Sequence, residues 1–146
     1  MAALLLTGCS RVVSVTPPPP DATTSVACAA VAAALPETVA GQSRRSTTPD
    51  APSTAAWGDP PIVLRCGVPR PAALLPTSPV TDVTGPDGTT VTWFAEQLSA
   101  GYLFTTVGRQ AYVEVAVPDA YRGSGDVLPD LGTAVGPADP VTPATG

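Results

Sequence analysis

The chain has 146 residues with 7 Lys+Arg, 12 Asp+Glu and no His, for a net charge of −5, and all seven cations are arginine. Without lysine there is no Schiff base, Ser-Lys dyad or phosphate-loop lysine; without histidine the commonest general base and metal ligand is missing. The one cationic pair, Arg44-Arg45, makes no basic stripe able to displace counterions, which argues against nucleic acid as a partner.

The length suits a single domain. Proline (19 residues) and glycine (13) are frequent enough to bring the chain near the composition of disordered segments. The prolines, however, are concentrated: Pro17 to Pro20 form a run, and Pro137, Pro140 and Pro143 fall near the C-terminus. The expected division is residues 1–8 as the remnant of a signal peptide, 9–24 as a proline-rich tether, 25–135 as the domain and 136–146 as a disordered tail.

The opening, Met1 to Cys9, is apolar and closes on Leu6-Thr7-Gly8-Cys9. It resembles the end of a bacterial lipoprotein signal, in which the cysteine thiol takes diacylglycerol and the chain is cut before it. Only eight residues precede Cys9 and none is cationic, whereas a full signal has a charged start and roughly 15 to 30 residues. The alternative is a frayed apolar start with an ordinary thiol. Two or more acyl chains on Cys9 would hold the protein stably at a membrane. Ser10 to Thr24, with four successive prolines, would then be a stiff spacer of about 3.1 Å per residue.

From Ser25 to Leu35, Cys28, Val31, Ala32 and Leu35 recur at i, i+3, i+4 and i+7, predicting a helix capped by Thr24 or Ser25 and ended near Pro36. Ile62 to Cys66 alternates, with Ile62, Leu64 and Cys66 on one face of a strand. Both Cys28 and Cys66 thus face the core, and in an exported protein a disulfide between them is expected. Two buried free thiols are the alternative, and two thiols without histidine do not fill a zinc shell.

Gly41 to Pro61 is polar and turn-rich. Strands follow at Val80–Thr84 and Thr89–Glu96 around Gly85-Pro86-Asp87-Gly88, with Thr84 opposite Thr89 and Val80 opposite Trp93. Two more, Tyr102–Val107 and Gln110–Val117, flank Gly108-Arg109, whose type II′ turn would set Phe104 opposite Val113 and Tyr102 opposite Val115. Leu128, Leu131 and Val135 mark a last helix opened by Asp126, with Pro129 in its first turn. Helix, about five mostly antiparallel strands, then helix gives an α+β fold, two layers with both helices on one sheet face.

The block from Trp57-Gly58-Asp59-Pro60-Pro61 through Cys66-Gly67-Val68-Pro69-Arg70-Pro71 is joined by Trp93-Phe94, Tyr102 to Arg109 and Tyr112-Val113-Glu114-Val115. Together these resemble an uncharacterised family of secreted actinobacterial proteins, the domain of unknown function 3515, from about Cys28 to Leu131. The resemblance implies an exported or lipid-anchored envelope protein of a high-GC bacterium and brings no assigned activity.

Gly123-Ser124-Gly125 lacks the strand-turn-helix setting of a nucleophile elbow. A binding surface is the expected site: Arg65 and Arg70 could present guanidiniums to a carboxylate or phosphate. Arg65 and Arg70 paired with a local acid such as Asp59 are the structural alternative. Leu103, Thr105, Tyr112 and Glu114 share the second face of the last hairpin, and Trp57 is either a lid on the core edge or a stacking platform. The expected function is a non-catalytic envelope lipoprotein that binds an envelope protein or cell-wall component, with no cofactor or metal. A cell-wall glycan hydrolase using a carboxylate pair from Asp59, Glu96 and Glu114 is the alternative.

Overall fold

The computed structural model describes residues 12–19, 21–123 and 125–143. In chain order these form β1 (Val13–Ser14), α1 (Ala22–Ala34), β2 (Thr38–Val39), β3 (Gln42–Arg45), β4 (Thr47–Thr48) and β5 (Thr54–Trp57). Then come β6 (Ile62–Cys66), β7 (Thr81–Thr84), β8 (Thr90–Leu98), β9 (Gly101–Thr106), β10 (Val113–Pro118), a 3₁₀ turn at Asp119–Tyr121 and α2 (Val127–Ala138). The main sheet has eight strands in the order β2-β3-β5-β6-β10-β9-β8-β7, and β1 pairs with β4 in a separate parallel ribbon.

The α+β class holds, but the main sheet has eight strands where about five were expected. The additional three lie between Thr38 and Trp57. β5 reads Thr-Ala-Ala-Trp and is buried at every position, so no alternation marks it. β3 is Gln-Ser-Arg-Arg, polar because only the two-residue β2 lies outside it. Ala40 and Gly41 both have positive φ, 49° and 75°, and close β2 on β3 in a two-residue hairpin without the usual Asn-Gly signal.

One face of the sheet carries the core. Trp57, Ile62, Leu64, Val91, Trp93, Val113 and Val115 meet Val31 of α1 and Leu131 and Val135 of α2 in one cluster. The Cys28–Cys66 disulfide, with Cα atoms 5.6 Å apart, fastens α1 to β6. α1 starts at Ala22, earlier than expected, because the Asp21 carboxylate accepts from the Thr23 N–H at 2.7 Å.

Both long hairpins differ from the expected register. Thr84 faces Thr90 and Thr81 faces Trp93, while Val80 is exposed. The Asp87 carboxylate accepts from Thr89 N (2.9 Å) and Thr89 Oγ1 (2.7 Å), drawing Thr89 into the turn. In the second hairpin Phe104 faces Val115 and Tyr102 faces Val117, a shift of two residues that leaves each side chain on its expected face. Val107 to Tyr112 loops out in place of a tight turn because it is held by the end of α2. Ala111 N donates to Asp139 Oδ1 at 3.0 Å, and Arg109 reaches the carbonyls of Gly136 and Asp139.

That attachment also corrects the expected tail. α2 runs through Gly136 and Pro137 to Ala138, Asp139 is fully buried, and Val141 bridges Arg109. Gly136 is required there, since a Cβ would collide with Thr89 Cγ2.

The tether is corrected likewise. Val13 and Val15 are buried against Ala56 and Val63 on the sheet's outer face. Val13 N donates to Ser46 O (2.9 Å) and Val15 N to Thr48 O (3.1 Å). Burial of each valine is worth at most about 1.5–3 kcal/mol and, with these two hydrogen bonds, favours docking of the segment. The described segment from Val12 to Pro19 is therefore packed on the domain, with Val13 and Val15 turned inward and Ser14 outward as in a half-buried strand.

Candidate functional site

Pairing of β6 with β10 sets Glu114 directly opposite Arg65, and their side chains form an ion pair at 3.2 Å. Arg65 Nε also donates to Thr16 O at 3.0 Å, which ties the docked N-terminal segment to the sheet. Just beyond, Tyr112 O accepts from Gly67 N and Val68 N, and Arg70 donates to Tyr112 Oη (3.5 Å) and Leu74 O (2.7 Å). Four of the five expected binding residues therefore come together, but as two internally satisfied pairs. Asp59 is not the partner of Arg65; it lies past the opposite end of β6 and faces Arg45 at 3.9 Å.

Trp57 is not with them. It lies on the core face with no exposure, donates from Nε1 to Pro36 O at 3.0 Å, and has the Arg44 guanidinium 5.2 Å from its ring centroid. A fully buried indole offers no stacking platform, so that expectation falls. The second face of the last hairpin is not the open surface expected either: Thr105 is 1% exposed, and Glu114 is engaged by Arg65.

The acids are also apart. Glu96 faces Leu103 and Glu114 faces Thr105, with β9 between their strands. Their strands stand two spacings, roughly 10 Å, apart in the sheet. Among the described residues no three His, Cys, Asp or Glu side chains are grouped so as to hold a metal ion.

The cavity with the most distinctive chemistry lies elsewhere. A cleft of about 260 Å³ opens where β9 begins and β10 ends, beneath the first turn of α2. Tyr102, Phe104, Val83 and Val117 of the sheet face Leu128 and Pro129 of the helix across it. Tyr102 and Phe104 stack with ring centroids 5.9 Å apart and planes at 22°. Alternation along β9 puts both rings on the core face, and the loop glycines Gly123 and Gly125 also line the cleft.

Charge stays at the rim, where Arg122 and Asp119 pair at 2.8 Å. Tyr121 Oη donates to Pro60 O at 2.6 Å, and burial, then the negative charge of Asp59, pushes its phenol pKa up. The cleft therefore offers an apolar, aromatic-walled space whose ionisable neighbours Asp119, Tyr121 and Arg122 are engaged in the pairings just described. Its volume suits one apolar group rather than a whole drug-sized molecule. The sequence signal for it was present, two aromatics at i and i+2 near a glycine-rich loop, but the same pattern describes ordinary core.

Two other cavities flank the N-terminal half. One of about 270 Å³ lies between Pro17 to Pro19, the N-terminal half of α1 and the disulfide. The other, about 640 Å³ and polar, is lined by Glu37, Arg44, Arg45 and Asp50 among others. Trp57, Arg65, Arg70, Tyr112 and Glu114 line none of the three. Cys9 lies outside the described residues. Among those residues no helix is long and apolar enough to cross a membrane.

The family model described as "Protein of unknown function (DUF3515)" matches residues 2–143. Neither a curated protein nor a solved structure matches the chain.

Proposed function

Because the chain belongs to the DUF3515 family, whose description assigns no activity, we propose its role from the site itself: a cell-envelope lipoprotein acting as a non-catalytic binding or accessory module. It is anchored through Cys9 at the outer face of the cytoplasmic membrane and engages an envelope protein or cell-wall component. The observation that carries the binding role is the aromatic cleft of Tyr102 and Phe104, an apolar space left uncovered at the mouth of the core. Export is supported by the Cys28–Cys66 disulfide, since such bonds form and persist in oxidising compartments. Anchoring is supported by Leu6-Thr7-Gly8-Cys9. The carboxylate-pair hydrolase has less support, because β9 separates the strands of Glu96 and Glu114, and Asp59 lies in the turn before β6 beside Arg45.

Two measurements test this reading. Metabolic labelling with a fatty-acid analogue should mark the protein and fail to mark Cys9→Ala. Cross-linking in cells should capture an envelope partner, and Leu128→Trp, which fills the cleft, should weaken that capture. A protein unlabelled and free in the cytoplasm would overturn the proposal.

A further inference from the structure

The docked N-terminal segment fixes how closely the domain would sit to an anchor at Cys9, so this inference rests on the lipoprotein reading above. Three residue steps separate Cys9 from Val12, and even a fully extended chain spans only about 10 Å over them. From Val13 the chain is held: Val13 and Val15 are 8% and 6% exposed, their N–H groups bond to Ser46 O and Thr48 O, and Arg65 holds Thr16 O. The ribbon packs over β5 and β6 on the sheet's outer face, and the edge strand β7 is five strands from β5, roughly 24 Å away. A lipid on Cys9 therefore reaches the β1–β4 ribbon and cannot reach under β7.

We infer that the β1–β4 edge is a membrane-contact surface, with exposed Val12, Ser14, Ser46 and Thr48 lying against the lipid headgroups. The ribbon suits that place. Val12 is 53% exposed, and its neighbours Ser14, Ser46 and Thr48 are small, uncharged hydrogen-bonding side chains that can face headgroups, with Arg45 and Asp50 adjoining them in sequence. The β7–β8 edge then points outward, and the domain lies close to the bilayer instead of being lifted from it.

The test uses the full chain coupled through Cys9, the one cysteine outside the disulfide, to a maleimide-headgroup lipid in phosphatidylcholine vesicles. The vesicles also carry a lipid with a photo-reactive headgroup, and cross-linked peptides are read by mass spectrometry. Peptides covering residues 46–50 should carry several-fold more lipid than those covering residues 82–90. Inserting about ten Gly/Ser residues between Arg11 and Val12 should remove the preference, because a flexible linker of that length reaches far beyond 10 Å. Equal labelling at native spacing, or a preference that survives the insertion, overturns the inference. Chemical coupling does not need cellular lipidation, so this result is separable from the fatty-acid labelling above. Absence of lipid on Cys9 in cells removes the anchor itself, and the inference with it.

Discussion

Arg109 donates through Nη1 to the main-chain carbonyl of Asp139 at 2.7 Å, while the Asp139 carboxylate accepts from Ala111 N, two residues beyond Arg109, at 3.0 Å. This reciprocal clasp joins the β9–β10 connection to the C-terminal end of α2. Arg109 also reaches Gly136 O (2.8 Å) and Thr90 O (3.1 Å), so one side chain satisfies carbonyls from a helix end and from β8. A cation at a helix C-terminus is favourable in itself. Arg109→Ala should lower stability by about 2–3 kcal/mol, as expected for lost hydrogen bonds to a charged group, measured by urea unfolding. A loss below about 0.5 kcal/mol would place it among ordinary surface substitutions and refute the clasp.

Asp139 gives the clasp a pH dependence. Burial raises its carboxyl above the usual carboxylate range, partly opposed by the Ala111 N–H and the Arg109 charge. Its Oδ2 has no hydrogen-bond partner among the described residues. The folded chain thus keeps a proton there at pH values where the unfolded chain, with an aspartate near 3.9, has released it. The resulting stability is fully present below about pH 3.9 and is lost as pH rises through the raised folded value. The stability of the native sequence minus that of Asp139→Asn should therefore fall as pH increases from the acid side to neutrality. The opposite trend in paired urea titrations would show the carboxylate to be preferred as the anion.

The same clasp explains why some of the fold was legible in the sequence and some was not. Periodicity located α1, β6 and α2 because each buries one regular face, and Cys28 and Cys66 fell on facing sides of the core. The shifted β9–β10 register was hidden because Asp139, 28 residues downstream of Ala111, takes the N–H that a tight turn would have used. β5 was hidden by its complete burial and β3 by its polarity at the sheet margin. Of the binding residues, Arg65 and Glu114 were recognisable as strand positions, but that they neutralise each other depends on a pairing between distant strands. The aromatic cleft was least legible, since Tyr102 and Phe104 alternate as core residues do and only the position of α2 leaves them uncovered.

The disulfide spans 38 residues and should contribute about 4 kcal/mol on the chain-entropy model. Cys28→Ser/Cys66→Ser should lose up to that amount in urea unfolding. A thiol titration of the denatured, unreduced and unlipidated full chain should find one reactive cysteine, rising to three after reduction. Three before reduction would mean that the bond does not form.

Gly58 sits inside the Trp-Gly-Asp-Pro block and has φ of 74°. A Cβ there would fall 2.5 Å from Tyr121 Oη and 2.9 Å from Gln42 Oε1. Gly41, at φ of 75°, has nothing within 4 Å of the same position. Both should cost about 1–2 kcal/mol as alanine for the left-handed backbone, but Gly58→Ala must also displace the Tyr121 hydroxyl from Pro60 O. Gly58→Ala should therefore be the more destabilising by about 1 kcal/mol or more, the value of that hydrogen bond. Tyr121→Phe removes the obstructing oxygen, so in a double-mutant cycle the pair should cost less than the two single changes together. Strict additivity would mean that the Tyr121 hydroxyl is not what confines position 58 to glycine.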